Sequence, residues 1–382
     1  MIDGYLISVV LFFAIIGILI YRDRKNIEFK YVLVMRRTKK FRNFIDRTAQ
    51  LSPRTWKAIY TLAVVVCLIF MIVGVHLLLS TAYLISVGLI TQPGLQLILP
   101  TPSATGAIGP GYILIPFWFW MIVIALILIP HEFSHGVIAR AEKIRLKSVG
   151  LLLLAIFPGA FVEPDERQLK KARLMKRLRI FAAGSFANFA IALVVLLATM
   201  FLIWPAFTGP GVYLVGVNET GPAYAAGLQP NTTITEINGK PVHVTYWEHL
   251  GGRGYFVDEV GELDVDDVLV VKASGNTYEI RPEYDEVTNS TYIGIMYKPV
   301  FKADEKLFLL TLIPLLNMIW IFSLAVGIVN ILPLYPLDGG LMFEAIVEKY
   351  YRKRAKQIVR AVTLLMLFIL IFDFVGPSLL NI

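Results

Sequence analysis

The sequence predicts a polytopic α-helical membrane protein with about six transmembrane helices and one inserted α/β domain. Three observations predict it. Of 382 residues, 57% are hydrophobic and only 17% charged, where an average soluble domain has about a quarter charged. The apolar residues are gathered into long runs, and about 20 such residues cross the hydrocarbon of a bilayer. The formal charge of +8 lies in short basic segments between those runs. That is how a membrane protein's loops carry its orientation, and it argues against a nucleic-acid partner. Cys67 is the one cysteine, so an intrachain disulfide is excluded.

Six runs are long enough to span: 4–20, 58–80, 112–135, 180–207, 307–332 and 358–375. The first is read as a retained span. It lacks a basic leader, and Tyr21-Arg22 stand where a small-residue cleavage site would be. Segment 81–111 is uncharged but broken by prolines and glycines, so it is expected to be a loop that can dip into the lipid. Segment 21–57 has 12 Lys and Arg against three acids, and 140–179 has 11 against four. Segment 344–357 adds five more basic residues, whereas 208–306 has more acids than bases. Alternating basic loops predict cytoplasmic 21–57, 140–179 and 344–357, with both termini outside.

Residues 208–300 differ in character. Short alternating runs at 212–217 and 268–273 predict strands. Gly221-Pro222-Ala223 opens a short helix, and Ile234 to Val242 reads as strand, Asn-Gly turn and strand. This pattern resembles a PDZ domain of the kind found in proteases. Any small α/β domain with an Asn-Gly hairpin is the alternative. A PDZ-like sheet edge would take a peptide ligand as an added strand. Asn218, Asn231 and Asn289 begin Asn-x-Ser/Thr sequons, in keeping with an external face. His243 and His249 are read as surface or core residues.

The third run ends in His131-Glu132-Phe133-Ser134-His135. Histidines at i and i+4 share a helical face and can reach one metal ion. Glu132 follows the first of them, where it can take a proton from water at the metal. Ionisable side chains inside a span are expensive and point to a site, here one for Zn2+. A third protein ligand must come from elsewhere. His76 and Asp373 fall toward the outer ends of their spans and are set aside. Asp338, in Leu337-Asp338-Gly339-Gly340, falls on the same membrane side as His135 by charge counting. Its alternative role is an N-cap. In the fourth span, Gly184 allows close backbone approach and Asn188 offers an uncharged donor and acceptor for a substrate carbonyl or oxyanion. A small-residue helix interface with a satisfied Asn fits Gly184 and Asn188 equally well.

His-Glu-x-x-His in one span, Gly184-x-x-x-Asn188 in the next, an inserted PDZ-like domain and then Asn330-x-x-Pro333 with Leu337-Asp338-Gly339-Gly340 resemble the site-2 protease family of intramembrane zinc metalloproteases. Residues 157–163, Phe-Pro-Gly-Ala-Phe-Val-Glu, look like the re-entrant strand that accompanies this core in one branch. The resemblance implies His131, His135 and Asp338 as zinc ligands, Glu132 as catalytic base, Asn188 beside the active site and a structural Asn330. It implies hydrolysis within or near transmembrane helices of protein substrates, as in regulated intramembrane proteolysis. The active site would lie toward the cytoplasmic side and the PDZ-like domain outside. The corresponding division is 1–111 for N-terminal spans and basic loop, 112–207 and 301–340 for the two halves of the catalytic core, 208–300 for the PDZ-like domain, and 341–382 for a basic segment and last span. Another membrane zinc peptidase class with a distant Glu ligand, a PDZ scaffold and a transporter remain the alternatives.

Overall fold

The structure is a computed structural model that describes every residue except 1–3, 32, 155–156, 252–263, 286–289, 303–306 and 381–382. The sequon at Asn289 lies outside the described residues. The chain divides into two compact units, residues 1–193 with 318–382, and residues 194–317.

Among the described residues six helices are long and apolar enough to cross a membrane: Gly4–Arg22, Pro53–Ser86, Phe117–Ala141, Leu174–Phe207, Ile313–Ile331 and Ala355–Leu379. Their number is the expected one. Several ends differ, each for a local reason. The third span begins at Phe117 because Tyr112–Pro116 is a strand, paired parallel with Leu97–Thr101 and antiparallel with Ala107–Gly109. Pro116 disfavours helix in the residue before it, and Ile113 and Ile115 are β-branched. Segment 81–111 is a loop only in part, irregular over 87–96 and 102–106. Its first six residues continue the second span to Ser86, and its remainder supplies two of these three strands. At its other end the third span runs on to Ala141, and the fourth begins early, at Leu174.

The basic segments also hold structure. Ile27–Lys30, Leu33–Arg37, Leu146–Leu154 and Phe157–Pro164 form, in that order, one antiparallel sheet. Helix Lys39–Leu51 is amphipathic, with Ile45 and Ala49 as its buried residues. Ile45 packs on Gly136 of the third span, where a Cβ would sit 2.8 Å from the Ile45 Cδ1. The core of this unit joins Ile45, Ala63, Cys67, Ile138, Ala182, Ala183, Ile331 and Met342. Small residues let the spans come close enough for van der Waals packing, which drives helix association in lipid.

Just past the third span, buried Glu142 gathers three cations. Arg179 Nη1 donates to it at 2.6 Å, with Lys176 at 3.6 Å and Lys57 at 3.9 Å. Arg179 also donates to Thr61 Oγ1 at 2.9 Å. One carboxylate thus ties together the ends of the second, third and fourth spans. Glu142→Gln should lower stability by about 1.5–3 kcal/mol, the range for a hydrogen bond to a charged group. Thermal unfolding of the purified protein, with Lys57→Gln at the longest of the three contacts as the milder control, checks this.

In the second unit, a six-stranded sheet runs Asn276–Ile280, Leu269–Ala273, Thr233–Ile237, Thr208–Val217, Ile295–Phe301, with Lys240–Pro241 paired to Thr233–Ile237. The Asn-Gly turn forms as expected: Asn238 and Gly239 both have positive φ, as a type I′ hairpin requires. Pro222–Ala225 is a short helix. Trp204 Nε1 donates to Val244 O at 2.8 Å, and Phe207 stacks on Phe308 at 4.6 Å. His243 and His249 are exposed, and His249 lies over the Trp204 ring at 4.6 Å.

Candidate metal centre

His131 and His135 project from one face of the third span, as their i and i+4 spacing requires. Pro130 precedes them within the helix. It has no N–H to offer the Leu126 carbonyl, so the backbone is loosened just where the ligands begin. Asp338 comes from the other end of the sequence. It is the first residue of helix Asp338–Tyr350, with Leu337 in the N-cap position, so Asp338 is not itself the cap.

His131 Nε2, His135 Nε2 and Asp338 Oδ2 form a nearly equilateral triangle. The sides are 3.3 Å between the imidazoles, 3.2 Å from His135 to Asp338 and 3.4 Å from His131 to Asp338. Donors held roughly 2.0–2.1 Å from a tetrahedral ion lie about 3.3 Å apart, so the triangle has the size of a zinc site. Among the described residues it is the one group of three or more His, Cys, Asp or Glu residues able to hold a metal. Asp338 Oδ2 is buried and makes no hydrogen bond among the described residues. An orphaned carboxylate oxygen facing two imidazole nitrogens fits a cation between them.

The other ring nitrogens are held from behind. His135 Nδ1 lies 2.7 Å from Ile180 O and so donates to it, which leaves the Nε2 lone pair free. His131 Nδ1 lies 3.2 Å from Asn188 Nδ2, and Asn188 is fully buried. Asn188 Oδ1 makes no hydrogen bond among the described residues. A half-turn of this amide exchanges O and N. The turned form lets Oδ1 accept from Nδ1–H and frees His131 Nε2 as well. Asn188 thus meets the back of a candidate ligand.

Glycines set the remaining approach. A Cβ on Gly184 would overlap both imidazoles, so the fourth span can pass the histidines only as glycine there. Cβ atoms on Gly339 and Gly340 would run into the backbone of Ile331–Leu332 and Leu334–Tyr335, so the turn that presents Asp338 needs both. Glu132 Oε2 accepts from Val162 N–H at 2.9 Å. Val162 belongs to Phe157–Pro164, the edge strand of its sheet. His76 is exposed on the second span, and Asp373 is buried in the sixth; neither joins the cluster. Sequence reasoning did not assign roles to Ile180 and Val162. Both act through backbone groups, which every residue has.

A His-Glu-x-x-His helix completed by an aspartate from a second helix, in a chain of six apolar spans, is the arrangement of an integral-membrane metallopeptidase. The profile of peptidase family M50 matches residues 119–372, and the chain belongs to that family, the site-2 protease family. Membership implies a membrane metalloprotease. The chain is 27% identical over 360 residues to an uncharacterised protein of Methanocaldococcus jannaschii, covering 93% of this chain and 89% of that one. It is also 29% identical over 119 residues to the membrane-bound transcription factor site-2 protease homolog of Arabidopsis thaliana, covering 30% of this chain and 23% of that one.

Gly184→Ala should cost metal and activity together, because the added methyl pushes the imidazoles apart. Metal content per chain, measured beside Gly17→Ala, where a Cβ meets nothing within 4 Å, checks this.

Proposed function

We propose that the protein is an intramembrane zinc metalloendopeptidase that hydrolyses peptide bonds within or near the transmembrane helices of membrane-protein substrates. The triangle of His131, His135 and Asp338, with Glu132 on the same helix, carries this reading. A scaffold or transporter leaves those buried groups without a purpose. A peptidase with a distant Glu ligand has no need of an orphaned Asp338 facing both imidazoles.

His131, His135 and Asp338 would hold the ion, and zinc held there would supply Lewis acidity to a carbonyl and to water. Glu132 accepts the proton of the attacking water and passes it to the leaving amine. Ile180 O and Asn188 fix the ring orientations, and with them the tautomers. A substrate helix hides its carbonyls in i→i−4 bonds and must unwind before cleavage. The edge strand beside Glu132 can receive the unwound chain. Val162 N–H points away from the neighbouring strand, and by two-residue alternation so do the backbone groups of Ala160.

Residues 208–300 are read as a PDZ-like domain. The helix after Gly221 and the Asn238-Gly239 hairpin support it, and a sheet edge there would engage a substrate's external segment. The alternation of basic and acidic loops supports an extracytoplasmic position for it and a cytoplasm-facing metal centre.

Glu132→Gln should keep zinc but abolish cleavage, because the amide retains size and hydrogen bonding yet accepts no proton. Asp338→Asn should lose zinc, because a neutral amide replaces the one anionic ligand. Zinc per chain and cleavage of a helical substrate are measured side by side. An Asp338→Asn protein with full zinc and full activity removes Asp338 from the ligand set.

Single cysteines at positions 170 and 276, introduced with Cys67 replaced by Ser, should be labelled by a membrane-impermeant maleimide from opposite sides of sealed vesicles. Labelling from the same side overturns the topology.

A further inference from the structure

Polar contacts anchor the first span to its unit at both ends, and Phe12 and Phe13 pack on Phe117 beside one of them. At one end Trp118 N donates to Tyr5 OH at 3.1 Å and Trp118 Nε1 donates to Ser8 Oγ at 3.0 Å. At the other, Asp23 pairs with Arg36 of strand Leu33–Arg37. Between them lies a cleft of about 650 Å³. One wall is the span's stripe of Phe12, Ile16, Leu19 and Ile20, at helical spacing. The other is one face of the four-stranded sheet. Register places Ile27 opposite Arg36, Arg36 opposite Leu151, Val34 opposite Leu153 and Leu153 opposite Pro158, so all six share that face.

The cleft is apolar along its length and charged at one end. Arg22, Asp23 and Arg36 line that end. Asp23 offsets one guanidinium, and Arg22 makes no ion pair among the described residues, which leaves the mouth with one net positive charge. One wall of the groove is a span long and apolar enough to cross a membrane, so hydrocarbon from the bilayer can enter along it. An extended acyl chain fits an apolar groove between a helix and a sheet, and a basic residue at headgroup depth selects an anionic headgroup.

We propose that this cleft is a binding site for an anionic phospholipid, with an acyl chain between the first span and the sheet and the phosphate against Arg22 and Arg36. The same sheet carries Val162, which holds Glu132, so the lipid would fill the space behind the strand that adjoins the metal centre.

The test uses the full-length protein in vesicles of equal phosphatidylglycerol and phosphatidylcholine with the same acyl chains. The protein is re-extracted in mild detergent and its retained phospholipids are measured by mass spectrometry. Phosphatidylglycerol should be enriched over phosphatidylcholine. Arg22→Gln should cut that enrichment about fivefold, the effect of one basic residue near an anionic headgroup. Ile20→Trp, which fills the cleft, should lower retention of both lipids. Arg24→Gln removes the same charge from a residue that lies over the Tyr21 ring and does not line the cleft, and should leave retention unchanged. Equal retention of the two lipids by the unaltered protein overturns the proposal. So does an Arg24→Gln effect as large as that of Arg22→Gln, which would mean surface charge alone. A photoreactive residue at position 16 should capture lipid, and capture of a helical substrate in its place also overturns the assignment.

Discussion

Two imidazoles and a carboxylate, held 3.2–3.4 Å apart in an apolar helical bundle, are the constraint on which the rest of this fold depends. Such groups are costly to bury and are kept only where something compensates them. The compensation here comes from three directions. The Ile180 carbonyl and the Asn188 amide engage the backs of the rings, and the fronts converge on a volume the size of one cation. Every neighbouring element is shaped to permit this. The fourth span gives up a side chain at Gly184, and the segment before Asp338 turns sharply enough to require Gly339 and Gly340.

Polar anchoring outside the spans complements this apolar interior. Lipid offers helices no hydrophobic reason to associate, so their registry rests on packing and on specific polar contacts. Glu142, with Arg179, Lys176 and Lys57, sets the ends of three spans against one another about two turns beyond His135. Cys67 makes a finer contact of the same kind, its thiol donating to Ala182 O at 3.4 Å. A shift of the second span would therefore be felt two residues from Gly184.

How legible this was in the sequence depended on whether the signal lay in side chains or in backbone. The spans were visible because lipid demands long apolar runs, and His131, Glu132, His135 and Asp338 because charge inside such runs is rare. The sheet built from Ile27–Lys30, Leu33–Arg37 and Leu146–Leu154 was not foreseen. Its strands sit in segments whose Lys and Arg content dominates any reading, and Leu151–Leu154 is a uniform apolar run with no alternation to mark a strand. Gly184 was expected to admit another backbone, yet what it admits is the two imidazoles. Composition reports that space is needed at a position but not what occupies it.

The hydrogen bond from Val162 N–H to Glu132 has one more consequence. An amide hydrogen serves one acceptor well at a time, and this one belongs to the open edge of a sheet. A chain that pairs with that edge competes with Glu132 for it. Docking of the chain and release of the carboxylate then become a single exchange, an interlock in which the proton acceptor stays engaged while the strand beside it is bare.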